Sequence, residues 1–245
     1  MWRVLLFVGF LGGCAVAAFS PQSEFVPVPI TAGQYEIATW QKVTDKSPST
    51  PVHIYIEGDG HAFRGNGRPS SNPTPRGDFV RRMAMRDVAP NVIYIARPCQ
   101  FIMSPACTRH DWTDGRFSPA VIDAMATAIK SVAGARPVVL VGYSGGAMVS
   151  GLVILEHPEI NVTRWITVAG VLNHSAWTEY FGDSPLTASL DMTTLPVVPQ
   201  VHYVGARDKT VPPELTGRIA RATDIIIVPN ATHDNFGELN LFVDK

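Results

Sequence analysis

The sequence has little charge. Asp, Glu, Lys and Arg make up 17% of its 245 residues, against about a quarter in an ordinary globular chain. The 20 basic and 21 acidic side chains leave a net charge of −1. No basic run occurs, so the electrostatic footprint of a nucleic-acid binder is missing, and no nucleic-acid partner is expected. Long apolar runs are missing as well. The widest, residues 4–19, falls short of the about 20 residues that span a bilayer. Cysteine is scarce, three in all. No CxxC, HExxH or close His/Cys cluster occurs, which leaves a metal centre without local support. What the chain does have is apolar mass. Hydrophobic residues are 46% of the total, and a chain of this length can remove roughly 70–75% of its unfolded surface from water. One large domain around a full core follows.

The first residues have the pattern of an export signal: Arg3 supplies the positive start, residues 4–11 form an apolar block, and small residues follow. Leu11-Gly12-Gly13-Cys14 resembles the lipobox of bacterial lipoproteins, in which the chain is cut before the cysteine and that cysteine is acylated. The expected organisation is a signal peptide over 1–13, a tether over 14–34 carrying Pro21, Pro27 and Pro29, and one domain over 35–245. The protein is then held at the membrane through lipidated Cys14, on the periplasmic side of a bacterial envelope. The alternative is ordinary cleavage after Ala15-Val16-Ala17, which discards Cys14 and leaves a soluble secreted protein. Either way Cys99 and Cys107 remain as an even pair in an oxidising compartment, so a disulfide between them is expected, with two buried thiols as the other possibility.

Beyond the tether, short β-branched runs at 52–56, 92–95, 138–141, 165–168, 201–204 and 225–228 alternate with helical stretches. This alternation predicts a mostly parallel sheet with helices on both faces. The clearest helix starts at Ser118-Pro119, repeats apolar residues at Val121, Ile122, Met125, Ile129 and Val132, and stops at Gly134. Further helices are predicted over 78–86, 145–157, 212–222 and 237–243. Two long loops, 64–77 and 97–117, interrupt the pattern, and long loops in a compact domain are usually functional or disordered.

Gly142-Tyr143-Ser144-Gly145-Gly146 follows the most apolar strand and leads directly into a helix. A lone G-x-S-x-G arises by chance in roughly one chain in ten of this length, so the strand-to-helix context carries the weight. A serine lifted out on such a turn needs nearly side-chain-free neighbours two residues before and after it, which Gly142 and Gly146 provide. Its hydroxyl is a poor nucleophile without a base, and the base needs a carboxylate to fix its tautomer. Asp208 follows the 201–204 strand and His233 follows the last one, so all three fall at carboxyl ends of strands. Asp208 could instead serve only as a helix cap, with Asp183 or Asp191 as the acid. His61, His110 and His174 compete with His233.

Over residues 35–245 this pattern resembles the α/β-hydrolase superfamily. The resemblance implies that Ser144 is the nucleophile, Asp208 the acid and His233 the general base. It makes the Gly145 amide one oxyanion donor. Glu57-Gly58-Asp59-Gly60 occupies the place of the oxyanion loop, but Glu57 stands where histidine is common and Asp59 replaces a glycine. The second donor is therefore expected from the amide of Asp59 or Gly60. The implied activity is that of a serine hydrolase on a small-molecule acyl substrate, without cofactor or metal. The short stretch 170–196 implies a minimal lid, which favours a carboxylesterase for small or medium acyl esters. A peptidase, amidase or thioesterase would use the same triad, and a non-catalytic envelope binding protein would use the same scaffold. Trp177, Tyr180, Phe181, Phe101 and Trp112 are candidate pocket walls, and Arg64, Arg68, Arg76 and Arg97 candidate anion binders.

Overall fold

The computed structural model describes Phe19 and residues 23–242. Cys14 and the export signal lie outside the described residues. In chain order the strands are β1 (Val26–Pro27), β2 (Ile30–Ala32), β3 (Tyr35–Ile37), β4 (Thr39–Val43), β5 (Val52–Ile56), β6 (Asn91–Ile95), β7 (Val138–Tyr143), β8 (Val162–Val168), β9 (Gln200–Gly205) and β10 (Ile225–Val228). The helices are α1 (Phe79–Arg86), α2 (Pro119–Ala133), α3 (Gly145–Glu156), α4 (His174–Phe181) and α5 (Pro213–Gly217). Eight strands form one sheet in the order β1-β4-β6-β5-β7-β8-β9-β10, and β2 and β3 make a separate hairpin. The run from β6 to β10 is parallel, while β4 and β1 add antiparallel at one edge.

The period of two along each strand divides the core. Ile54, Ile56, Leu140 and Trp165 face the layer of α2 and α3, where Met125, Ile129, Met148 and Leu152 meet them. Tyr55, Tyr94, Val139 and Val141 face the opposite layer, which α1 shares with Phe19, Phe25, Phe236 and Leu241. Helices thus cover both faces, as the alternation predicts. The start of α2 is set by Ser118, whose side chain accepts from the Val121 amide, and by Pro119 in the first turn.

Three expectations need correction. Residues 23–34, read from sequence as tether, belong to the fold. β1 pairs with β4, β2 pairs with β3, and Phe25 stacks on Phe19 at 4.6 Å between centroids. Apolar residues here find an open sheet edge, which outweighs the extended bias of the prolines. The helix predicted over 237–243 does not form across its described part. The side chains of Asn235 and Asn240 accept from the amides of Gly237 and Phe242, local turns that compete with a helix. The helix predicted over 212–222 stops at Gly217. Among the described residues no helix is long and apolar enough to cross a membrane.

His202 sits in β9 with no exposed surface. Its Nδ1 is 2.9 Å from Thr167 Oγ1, its Nε2 is 3.1 Å from Gln200 Oε1, and its ring meets Trp165 edge-on. Burial pushes its pKa down to about 4. A depressed histidine stabilises the fold fully above the unfolded value of about 6.5, and that contribution fades as the pH falls through 4, amounting to roughly 3 kcal/mol at most. Urea titrations at pH 7, 5.5 and 4.5 are expected to show falling stability, with His202→Gln giving a flatter profile.

Candidate active site

β7 ends at Tyr143 and α3 begins at Gly145, so Ser144 is the hinge between them. Its backbone has φ 51° and ψ −123°, a conformation that L residues rarely adopt. The turn survives because its neighbours lack side chains. A Cβ on Gly142 would lie 2.6 Å from Ala147 Cα, and one on Gly146 would lie 2.5 Å from the Ile56 carbonyl oxygen. The Ser144 amide donates to the Val168 carbonyl at 3.1 Å, and the Ala147 and Val171 amides donate to the Ser144 carbonyl at 3.0 Å each. The hydroxyl therefore stands on a backbone tied to α3, β8 and the loop after it.

His233 lies in the turn after β10, which the Thr232 amide closes on the Asn235 carbonyl. Its Nε2 is 3.0 Å from Ser144 Oγ and its Nδ1 is 2.9 Å from Asp208 Oδ2. With the proton on Nδ1, the ring donates to the carboxylate and accepts from the hydroxyl. The other carboxylate oxygen of Asp208 accepts from the amides of Thr210 and Val211 at 2.8 and 2.9 Å. Asp208 is buried and His233 keeps an exposed edge. Tyr143 lies 5.2 Å from the His233 ring, and burial among the carboxylates of Glu57, Asp234 and Asp208 holds its phenol well above the usual range, so it stays neutral. The other candidates make no hydrogen bond to Ser144: His61 and His174 line the same cavity. Asp183 is exposed, Asp191 accepts from the first amides of α4, and His110 packs under Gly115.

Ser144 and His233 open onto a cavity of about 460 Å³. Of the five aromatic wall candidates only Trp177 lines it. Trp112 is buried in the α2–α3 layer, Phe101 packs on Trp40, and Tyr180 and Phe181 are partly exposed on α4. The walls are instead Phe63, Phe79, Phe117 and Tyr143, which come from four segments with no shared periodicity. Arg76 borders the cavity, Arg64 does not, and Arg116 and His174 complete it.

Scans with protein-family models and against curated proteins return no match. Solved structures do match. A serine hydrolase of this α/β type without a lid, from Xanthomonas campestris, superimposes with a TM-score of 0.54 at 13% identity, covering 87% of each chain. A serine hydrolase homologue from Coxiella burnetii gives 0.56 at 14%, covering 85% of this chain and 89% of its own. The mouse α/β hydrolase domain-containing protein 10 gives 0.54 at 14%, covering 85% and 90%. The chain has the α/β-hydrolase fold.

In this hydrolase fold the loop after β5 runs beside the nucleophile. A Cβ on Gly58 would lie 3.1 Å from Ser144 Cβ. The loop is held from the 97–107 segment, which the Cys99–Cys107 disulfide closes. Gln100 is the link: its amide group donates to the Gly58 carbonyl at 2.9 Å and its oxygen accepts from the Arg97 amide at 3.0 Å. Arg97 in turn reaches Asp59 at 2.8 Å. Glu57 accepts from Tyr94 and from the Gly58 amide, and its burial raises its pKa. Among the described residues the amides of Asp59, Gly60 and Gly145 donate no hydrogen bond.

Gln100→Leu would leave a buried carbonyl at Gly58 and a buried amide at Arg97 unpaired. The expected cost is roughly 2–4 kcal/mol by urea denaturation, with faster amide exchange at 58–60 than in α2. Unchanged exchange at 58–60 would show that Gln100 does not hold the loop.

Proposed function

We propose that the protein is a serine hydrolase, a carboxylesterase acting on small or medium acyl esters. The observation that carries this reading is the unbroken chain from Ser144 Oγ through the His233 ring to Asp208, with separations of 3.0 and 2.9 Å. His233 takes the hydroxyl proton on Nε2 as Ser144 Oγ bonds to the ester carbonyl carbon. Asp208 stabilises the imidazolium and fixes its orientation. The carbonyl oxygen becomes an oxyanion, received by the Gly145 amide at the start of α3 and by an amide of the β5 loop, that of Asp59 or Gly60. His233 then passes its proton to the departing alcohol. Water repeats the sequence on the acyl-enzyme and releases the acid. Solved structures of the same fold described as serine hydrolases support the reaction class. The choice of short acyl chains is supported by a cavity flanked between β8 and β9 by only α4 and irregular backbone.

A fluorophosphonate probe is expected to label Ser144 in the folded protein and to miss the Ser144→Ala variant. Turnover of 4-nitrophenyl esters should peak at short or medium chain length. Ser144→Ala, His233→Ala and the double variant should each lose on the order of 10⁴–10⁶ in kcat, with the double no worse than the singles, because residues that act as one unit are not additive. A folded protein that is neither labelled nor active would overturn the reading in favour of a binding protein on this scaffold.

The same reading puts the enzyme outside the cytoplasm, anchored through Cys14. The Cys99–Cys107 disulfide supports an oxidising compartment. Cells fed a radiolabelled fatty acid should yield labelled protein from the native gene and none from Cys14→Ser.

A further inference from the structure

One wall of the Ser144 cavity has no part in the steps above. Arg116 lines it, 5% exposed, with its guanidinium between the rings of Phe63, Phe117 and Trp177 at 6.0, 5.5 and 5.9 Å. Asp59 is its nearest carboxylate, 3.1 Å from Nε. The Nε hydrogen nevertheless aims away from a bond and is buried without an acceptor. Asp59 is shared, because its other oxygen is 2.8 Å from Arg97, whose own Nε is also buried without a partner. Two guanidinium groups therefore meet one carboxylate. Of the other acids lining the cavity or beside it, Glu57 is engaged with Tyr94 and the Gly58 amide and Asp208 with His233 and two amides, while Asp234, next to His233, is exposed to solvent.

His174 sits against the same Phe117 ring, stacked at 5.8 Å. It is 3% exposed, lines the cavity, and has both ring nitrogens without a hydrogen bond. Asp191 Oδ2 is 3.9 Å away, and the backbone of Ser189 and Leu190 approaches without completing a bond. Burial lowers its pKa, so at neutral pH the ring offers one donor and one acceptor. A buried cation in excess and buried donors without acceptors are costly unless a ligand completes them.

We propose that this wall receives a carboxylate carried by the substrate, so that the enzyme prefers esters bearing an anionic group over plain alkyl esters. The inference rests on the hydrolase reading and names its substrate class. A planar carboxylate matches a guanidinium fork, brings acceptors to Arg116 and to the His174 N–H, and balances the second positive charge. The rings of Phe63, Phe117 and Trp177 keep water from competing for those bonds.

The test compares monomethyl adipate with methyl heptanoate, close in length and differing in the terminal carboxylate, by acid release from the native protein. The expected kcat/KM ratio is at least tenfold in favour of the adipate ester. Arg116→Met should lower that ratio at least tenfold and His174→Phe several-fold, with melting curves confirming the fold. Independently of any variant, millimolar adipate should slow fluorophosphonate labelling of Ser144 while heptanamide, which has no carboxylate, does not at the same concentration. Labelling of Ser144 with the two esters turned over equally, or the neutral one faster, would overturn this inference and leave the hydrolase reading intact. An unlabelled Ser144 with neither ester turned over would overturn both.

Discussion

The site depends on one strained backbone. A serine at φ 51° in a left-handed turn costs on the order of 1–3 kcal/mol and persists only where the surroundings leave no alternative. Here the surroundings are β7 and α3, both buried, with Gly142 pressed against α3 and Gly146 against the end of β5. Any side chain at either glycine would push the helix off the sheet. The same closeness brings the β5 loop within van der Waals reach of Ser144, so one tight turn sets both the nucleophile and the loop beside it.

The remaining parts of the site are carried by rigid elements or clamped to them. Asp208 takes its orientation from two backbone amides, His233 from the short turn after β10, and the β5 loop from Gln100 and the disulfide-closed segment. Little of the proposed machinery therefore relies on a freely moving loop, which suits chemistry in which oriented dipoles stabilise developing charge without reorganising.

The parallel strands could be read in advance because a strand buried on both faces is apolar nearly throughout, as 138–141 is entirely and 52–56 is except at His53. Ser144, Asp208 and His233 could be picked out because each follows the carboxyl end of a β-branched strand, and they lie in hydrogen-bond contact. β4 escaped notice for the converse reason. Thr39, Gln41 and Lys42 dilute its pattern, as befits a strand near a sheet edge with one half-wet face. Phe63, Arg116 and His174 were out of reach as a group, since only the tertiary fold brings two loops and the start of α4 to one wall. The nearest signal was Arg116-Phe117 in an overlong loop, which marks a place without stating a role.

The early residues alter how the enzyme would sit on a cell. Phe19 is buried against Phe25, Trp40 and Tyr94, so the globule begins five positions after Cys14. With a lipid on that cysteine, a leash of five residues at about 3.3–3.6 Å each reaches under roughly 20 Å. Such a body would not roam the space beside the bilayer. Anchored as proposed, it would ride close to the headgroups with its β1 side nearest them, a restricted pose that would ration which soluble esters, or which membrane-borne ones, come within range.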